Sequence, residues 1–250
     1  MSGASRGLSG LVLGLALVGC LSAEGTRYEY FLAPGHEGAP GAQRWLLVPT
    51  NALAPVADFL IGPAERAQTG IQGRLEAAGR NVIPLPLSEA LKVNSRVTAA
   101  GGVTGAAADA LLSRLARELA ATREVDVVAF SDLVIHDVMV QQGGYAAWNG
   151  VKRRQRLIRG KKTPAVYAFG RGQALSLRVR VFGSDGVKRF ESLGGLDLIY
   201  EAKVGETTYQ LQVRSDLLID AEVLQTGISL ALYPYLLESA PAPGDGAGGA

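Results

Sequence analysis

The sequence predicts a mixed α/β domain in which one sheet is covered by about three helices. Short apolar runs of strand length alternate with segments of helical periodicity as far as residue 130. Later segments alternate apolar and polar residues as antiparallel strands do. A long amphipathic helix, predicted over 215–237, ends the domain. Elements in this order pack as layers around one hydrophobic core.

The first half of the predicted domain alternates strands and helices. A compact apolar strand over 45–49 is followed by a helix that begins at Pro63 and ends at Gly79. A second short strand covers 81–85, and its prolines favour the edge of a sheet. Leucines spaced three to four residues apart over 111–119 predict the next helix.

The third strand starts at Asp126 and continues to Val140, with a break predicted near Asp132. The segment 174–182 is the clearest strand in the chain. Apolar residues at 175, 177, 179 and 181 are predicted to be buried, whereas the residues between them are predicted to face water: Ser176, Arg178 and Arg180.

Turn residues at 183–186 then predict a hairpin whose second strand ends at Leu193. A separate strand is predicted over 196–202, after the glycine pair Gly194–Gly195, and another over 208–213. Ser215 is predicted to cap the last helix.

The N-terminal residues predict export. An apolar run over 8–18 follows Arg6, and small residues come directly after it. This pattern is typical of a secretory signal and is shorter than the roughly 20 apolar residues that span a bilayer. We therefore expect residues 1–19 to be a signal peptide. Its removal takes away Arg6, so 24 of the 25 Lys and Arg residues remain against 23 Asp and Glu. A protein this close to neutral is not predicted to bind nucleic acid.

Residues 17–20 resemble the lipobox of bacterial lipoproteins, and they read Leu17, Val18, Gly19, Cys20. The resemblance implies cleavage before Cys20 and a diacylglyceryl group on its sulfur. Two or more acyl chains make a stable membrane anchor. Leu21 stands where an Asp often signals retention in the inner membrane of such proteins, so the resemblance implies an outer-membrane protein that faces the periplasm.

Cys20 is the only cysteine, so no disulfide forms within the chain. The predicted organisation is a lipidated cysteine and flexible tether over 20–43, a single α/β domain over 44–238 and a disordered tail over 239–250. The order of elements in 44–238 resembles a group of envelope proteins. The group comprises the curli secretion channel lipoprotein, the lipoprotein activators of penicillin-binding proteins and the amino-terminal domain of the Tol translocation protein.

A basic cluster dominates the predicted insertion loop 141–172. Between Val151 and Thr163 there are seven cations and no acidic residue. The aromatic residues Tyr145 and Trp148 precede them. Such a concentration of charge predicts a docking surface for an anionic partner, whether lipid head groups, cell-wall polymer or an acidic protein face; a solvated loop is the structural alternative. The cluster consists of Lys152, Arg153, Arg154, Arg156, Arg159, Lys161 and Lys162.

The sequence offers little for catalysis. None of the common nucleophile, zinc-protease or phosphate-loop motifs occurs, and no cofactor or metal site is predicted. His136 stands next to Asp137, but neighbouring strand residues point to opposite faces. The leading hypothesis is a non-catalytic lipoprotein that acts as an adaptor in envelope assembly or transport. The alternatives are an oligomeric secretion pore, for which homo-oligomers would be needed, and an envelope hydrolase that uses His136.

Overall fold

The computed structural model describes residues 30–34, 43–53, 57–99, 106–159, 167–204 and 209–236. The predicted mixed α/β class is confirmed. Four α-helices lie in the described ranges, one more than predicted: α1 (Ile61–Ala77), α2 (Leu87–Ala99), α3 (Ala106–Arg123) and α4 (Ala221–Leu232). The strands are β1 (Tyr30–Leu32), β2 (Arg44–Leu47), β3 (Asn81–Pro84), β4 (Val127–Val140), β5 (Tyr145–Trp148), β6 (Val151–Arg154), β7 (Leu157–Arg159), β8 (Gly170–Gly183), β9 (Lys188–Leu198), β10 (Tyr200–Val204) and β11 (Tyr209–Val213).

A six-stranded sheet forms the centre of the domain, in the order β1-β9-β8-β4-β2-β3. β2 is parallel to both β3 and β4, whereas the pairs β4–β8, β8–β9 and β9–β1 are antiparallel. β1 lies within the segment predicted to be a tether, where its three residues pair with β9. Residues 1–29 and the tail 239–250 lie outside the described ranges.

Helices α1 and α4 cover one face of this sheet. Ile71 and Leu75 of α1 and Ile228 of α4 are fully buried in the core that they share with the sheet. Trp45 packs edge-on against Tyr235, with 5.6 Å between ring centroids. α1 begins two residues before the predicted Pro63, which still lies in the first turn, where a missing backbone N–H breaks no helical hydrogen bond.

Helices α2 and α3 cover part of the opposite face. Phe130 of β4 and Phe182 of β8 meet there, with 5.7 Å between their ring centroids. α2 was not predicted from the sequence. Its Ala90 and Val93 are buried in this core, whereas Leu87 and Leu91 are exposed.

Two predicted boundaries in the last third of the chain were wrong. The last helix begins at Ala221, because the Asp220 carboxylate caps it by accepting hydrogen bonds from the backbone N–H groups of Glu222 and Val223. Ser215 instead lies in a turn.

β9 does not end at Leu193 but continues through Gly194 and Gly195 to Leu198. Both glycines are needed there. A Cβ at Gly194 would lie 2.1 Å from the carbonyl oxygen of Gly227 in α4, and one at Gly195 would lie 2.8 Å from that of Trp148.

The predicted break in the third strand is absent. β4 runs without interruption from Val127 to Val140 and pairs with β8 along its whole length. Asp132 fits in the middle of this strand because its carboxylate is paired with arginines of β8.

The predicted insertion loop 141–172 contains the strands β5, β6 and β7 and the start of β8. β5 and β6 form a hairpin that packs on the same face of the sheet as α3, at the other end of β4 and β8. Its two turn residues are Asn149 and Gly150, with φ values of 39° and 83°. Asn-Gly is the pair that a two-residue hairpin turn with positive φ favours. β7 joins β10 and β11 in a separate three-stranded sheet. No helix in the described part of the chain has the length and apolar character needed to cross a membrane.

Candidate functional site

The β5–β6 hairpin divides the basic cluster between its two faces. In the register of the hairpin, Tyr145 pairs with Arg154 and Ala147 with Lys152, so these four residues share the outward face. Ala146, Trp148 and Val151 are buried against the main sheet. We call the outward group, together with Tyr167, the outer hairpin face.

Two tyrosine rings hold the cations of the outer hairpin face. The Arg154 guanidinium carbon lies 5.1 Å from the ring centroid of Tyr145 and 4.4 Å from that of Tyr167. The Nζ atom of Lys152 lies 5.1 Å from the Tyr145 centroid. Arg154 also donates from Nε to the carbonyl of Gly143, at 3.3 Å. A guanidinium stacked in this way keeps its outer N–H groups free for a carboxylate or phosphate.

Gly144 makes room for this arrangement. Its φ is 81°, and a Cβ at this position would come within 2.2 Å of the Tyr167 ring. The sequence predicted an aromatic loop but gave no sign that Tyr167 joins it, because Tyr167 lies 23 residues after Gly144 and the two meet only through folding. Lys152 and Arg154 are exposed, and no carboxylate of the described residues pairs with either.

Arg153 faces inward, away from the outer hairpin face. Its Nε donates to the carbonyl of Leu196 at 2.9 Å, and its Nη2 is buried without a hydrogen-bond partner among the described residues. Burial lowers the pKa of Arg153, and the nearby Asp197, Asp220 and Glu222 oppose this shift. Arg153 therefore joins the hairpin to β9 and is not placed to meet a partner.

Arg156 is held by carboxylates. It is ion-paired with Asp216 and, at 3.5 Å, with Glu201. Arg214 extends this network by pairing with Asp197 at 2.6 Å and with Asp216 at 2.9 Å. The hydrogen bond from Arg214 lowers the pKa of Asp216, whereas burial raises the pKa of Asp197. Arg156 thus holds the segment between β6 and β7 to β10 and to the turn that contains Asp216.

Several predicted site residues are not covered by the structure. The lipobox residues Leu17, Val18, Gly19 and Cys20 lie outside the described ranges, as do Lys161 and Lys162. The backbone of Arg159 belongs to β7, where it pairs with Val204.

His136 is half-buried on the sheet beneath the hairpin. Its Nε2 lies 3.4 Å from the side-chain amide of Asn149, which also donates to the Ser176 hydroxyl at 2.9 Å. Burial and the positive charge of Arg178 lower the pKa of His136. The neighbouring Asp137 is exposed on the other face of β4, and the carboxylate of Asp132 is engaged by two arginines. His136 therefore has no carboxylate partner among the described residues, and the hydrolase alternative gains no support from the geometry.

Comparison with known proteins gives little further guidance. No family model matches the chain, and no curated protein matches it. Among solved structures, it is similar to a PelC dodecamer from Paraburkholderia phytofirmans, with 11% identity and a TM-score of 0.40 over 85% of this chain and 98% of that one. A substituted PelC dodecamer from the same organism gives 12% identity and a TM-score of 0.41 over 85% and 99%. Similarity at this level does not establish a shared fold or function.

Proposed function

We propose that the protein is a non-catalytic, lipid-anchored adaptor of the bacterial envelope. Its outer hairpin face would dock on anionic head groups. The observation that carries this proposal is the stacking of Lys152 and Arg154 on Tyr145 and Tyr167, with no carboxylate of the described residues in contact with the two cations. A stacked arginine is pre-organised for the bidentate hydrogen bonds that phosphate and carboxylate groups accept.

The anchor is the second part of the proposal. A thiol at position 20, directly after an apolar run, is where a lipobox would place acyl chains. The expected residence is the periplasmic side of the outer membrane. Metabolic labelling with a fatty-acid probe should label the wild-type chain and not Cys20→Ala, and the variant should leave the outer-membrane fraction. Equal labelling of the two chains would contradict the assignment.

The head-group contact can be measured separately from the anchor. The purified full-length protein is partitioned between vesicles of phosphatidylcholine alone and vesicles that also contain phosphatidylglycerol. The ratio of the two affinities cancels the contribution of the acyl chains. Each basic residue at an anionic surface contributes about 1 kcal/mol, so a Lys152→Gln/Arg154→Gln variant should lower this ratio about 30-fold.

The matched control removes the same two charges elsewhere. Lys92 of α2 and Arg114 of α3 are exposed, and both helices pack at the other end of β4 and β8 from the hairpin. Lys92→Gln/Arg114→Gln should leave the ratio within about threefold of the wild-type value, because salt screens interactions between charges that are more than roughly 10 Å apart. If the two double variants behave alike, net charge and not the outer hairpin face governs the contact.

A further inference from the structure

A band of polar side chains crosses one face of the main sheet, between the part covered by α2 and α3 and the part covered by the β5–β6 hairpin. On the face that carries α3, Phe130 and Phe182 lie under the helices, and Ser176 lies under the hairpin turn. The positions between them are occupied by Asp132 on β4 and by Arg178 and Arg180 on β8. Arg180 is only 2% exposed. The side chain of Arg178 is 29% exposed, so the band is accessible to solvent at Arg178.

The band carries one cation more than its carboxylates neutralise. A single oxygen of Asp132, Oδ2, accepts from Nη2 of Arg180 at 2.5 Å and from Nη2 of Arg178 at 3.2 Å. On β9 the next acidic residue, Glu191, is paired with Lys188 at 2.7 Å, and Lys188 also pairs with Asp109 of α3. Among the described residues, no second carboxylate therefore pairs with Arg178.

Both arginines keep a donor without a partner. The Nε atoms of Arg178 and Arg180 are buried and have no hydrogen-bond partner among the described residues. A buried, charged N–H group left unpaired is destabilising, so such groups in a folded protein commonly mark a place for a missing acceptor. The Ser176 hydroxyl, two residues before Arg178 on the same face of β8, already accepts a hydrogen bond from the Asn149 amide.

A hollow with an apolar lining lies beside Arg178. Leu193 is the register partner of Arg178 on β9. Leu193 lines a surface cavity of about 260 Å³, together with Tyr30, Phe31, Glu191 and Ser192. Phe31 of β1 is 45% exposed at this edge. Leu193 thus links the cationic band to the hollow, which lies where β1 and β9 pair.

We infer that this band binds a small organic anion, with its phosphate or carboxylate group on Arg178 and its apolar body in the hollow lined by Leu193 and Phe31. Arg180 holds Asp132 and leaves Arg178 available to the ligand. This site is distinct from the outer hairpin face, and it does not depend on the lipid anchor.

The test uses the full-length protein and phenyl phosphate as the probe, with binding followed by calorimetry. Arg178→Gln keeps the Asp132–Arg180 pair and should weaken binding about 10- to 100-fold, because a hydrogen bond to a charged group contributes about that factor. Arg178→Lys keeps the positive charge but loses the planar guanidinium, so its affinity for phenyl phosphate should lie between those of the wild type and Arg178→Gln. The control is Arg171→Gln on the same strand, which should bind as the wild type does.

A spectroscopic measurement distinguishes binding from a purely structural role of Arg178. The positive charge of Arg178 acts on His136, and a bound anion offsets this charge. Saturation with phenyl phosphate should therefore raise the pKa of His136, measured by NMR and assigned with a His36→Gln variant. Inorganic phosphate should bind more weakly than phenyl phosphate. Equal affinity of Arg178→Gln and wild type would overturn the site, and equal affinity of the two probes would overturn the role of the hollow.

Discussion

Replacing Gly194 by alanine tests how closely α4 lies on the backbone of β9. In the folded protein, a Cβ at this position would lie 2.1 Å from the Gly227 carbonyl oxygen and 2.6 Å from the Ala231 backbone nitrogen. Ordinary contacts of a Cβ begin near 3.4 Å, so α4 would have to retreat by 1.3 Å, the difference between 3.4 and 2.1 Å. Neither obstacle is the end of a flexible side chain.

The energetic effect follows from what α4 covers. Ile228 is fully buried on the sheet, and Leu224 and Leu232 lie beside it in the same core. Overpacking alone destabilises a protein by about 1–3 kcal/mol, and a displaced helix also loses contacts along its length. We expect Gly194→Ala to lower the free energy of unfolding by about 3 kcal/mol or more. For a domain of this size, this corresponds to a fall of about 6–12 °C in Tm.

The measurement is urea unfolding followed by circular dichroism, with Gly73→Ala as the matched control. Gly73 is exposed in α1, and a Cβ there would meet nothing within 4 Å. The same substitution should therefore stabilise the protein by about 0.5–1 kcal/mol, because alanine favours a helix interior over glycine. A loss below about 1 kcal/mol for Gly194→Ala would mean that α4 does not rest on β9 as described.

Two further substitutions test ion pairs. Asp132→Asn removes the counter-charge of the fully buried Arg180 and should lower the free energy of unfolding by about 3–5 kcal/mol, whereas the exposed Asp137→Asn on the same strand should change it little. A loss equal to that of Asp137→Asn would show that the pair is not buried. Asp216→Asn should destabilise the protein above pH 3.8, the ordinary pKa of Asp, because the hydrogen bond from Arg214 lowers the pKa of Asp216 in the folded state. The stability that Asp216 contributes is lost as the pH falls below this value, so stability curves of variant and wild type should converge in acid; parallel curves down to pH 2 would exclude the ion pair.

The pattern of apolar residues within a segment predicted the buried face of that segment. The alternation of Leu175, Leu177, Val179 and Val181 correctly placed one face of β8 in the core. The same alternation wrongly predicted that Ser176 and Arg180 face water, since they are 0% and 2% exposed. Nothing within β8 shows that α3 and the β5–β6 hairpin cover this second face. The burial of Arg180 follows only from tertiary structure.

The hairpin itself could have been predicted, because its turn signal is present in the sequence. Asn149–Gly150 separates two segments whose inward residues, Ala146, Trp148 and Val151, are apolar. The density of positive charge in the same segment instead favours the prediction of a loop. Strong charge and strand structure are compatible, since only one face of a hairpin needs to be apolar.

The strand period also limits what the basic cluster can do. A loop could present all seven cations to one surface, with a contribution of about 7 kcal/mol at about 1 kcal/mol each. In the hairpin, Lys152 and Arg154 point outward while Arg153 between them points inward, and Arg156 is bound to carboxylates. Among the described residues of the basic cluster, two cations therefore remain available to a partner, Lys152 and Arg154. Their contribution to binding at an anionic surface is about 2 kcal/mol. A contact of this strength is too weak to hold the protein at a membrane by itself, and it would suffice to orient a protein that the proposed acyl chains on Cys20 anchor there. The proposed adaptor role therefore requires both features together, and a Cys20→Ala chain should keep its head-group preference while losing its residence at the membrane.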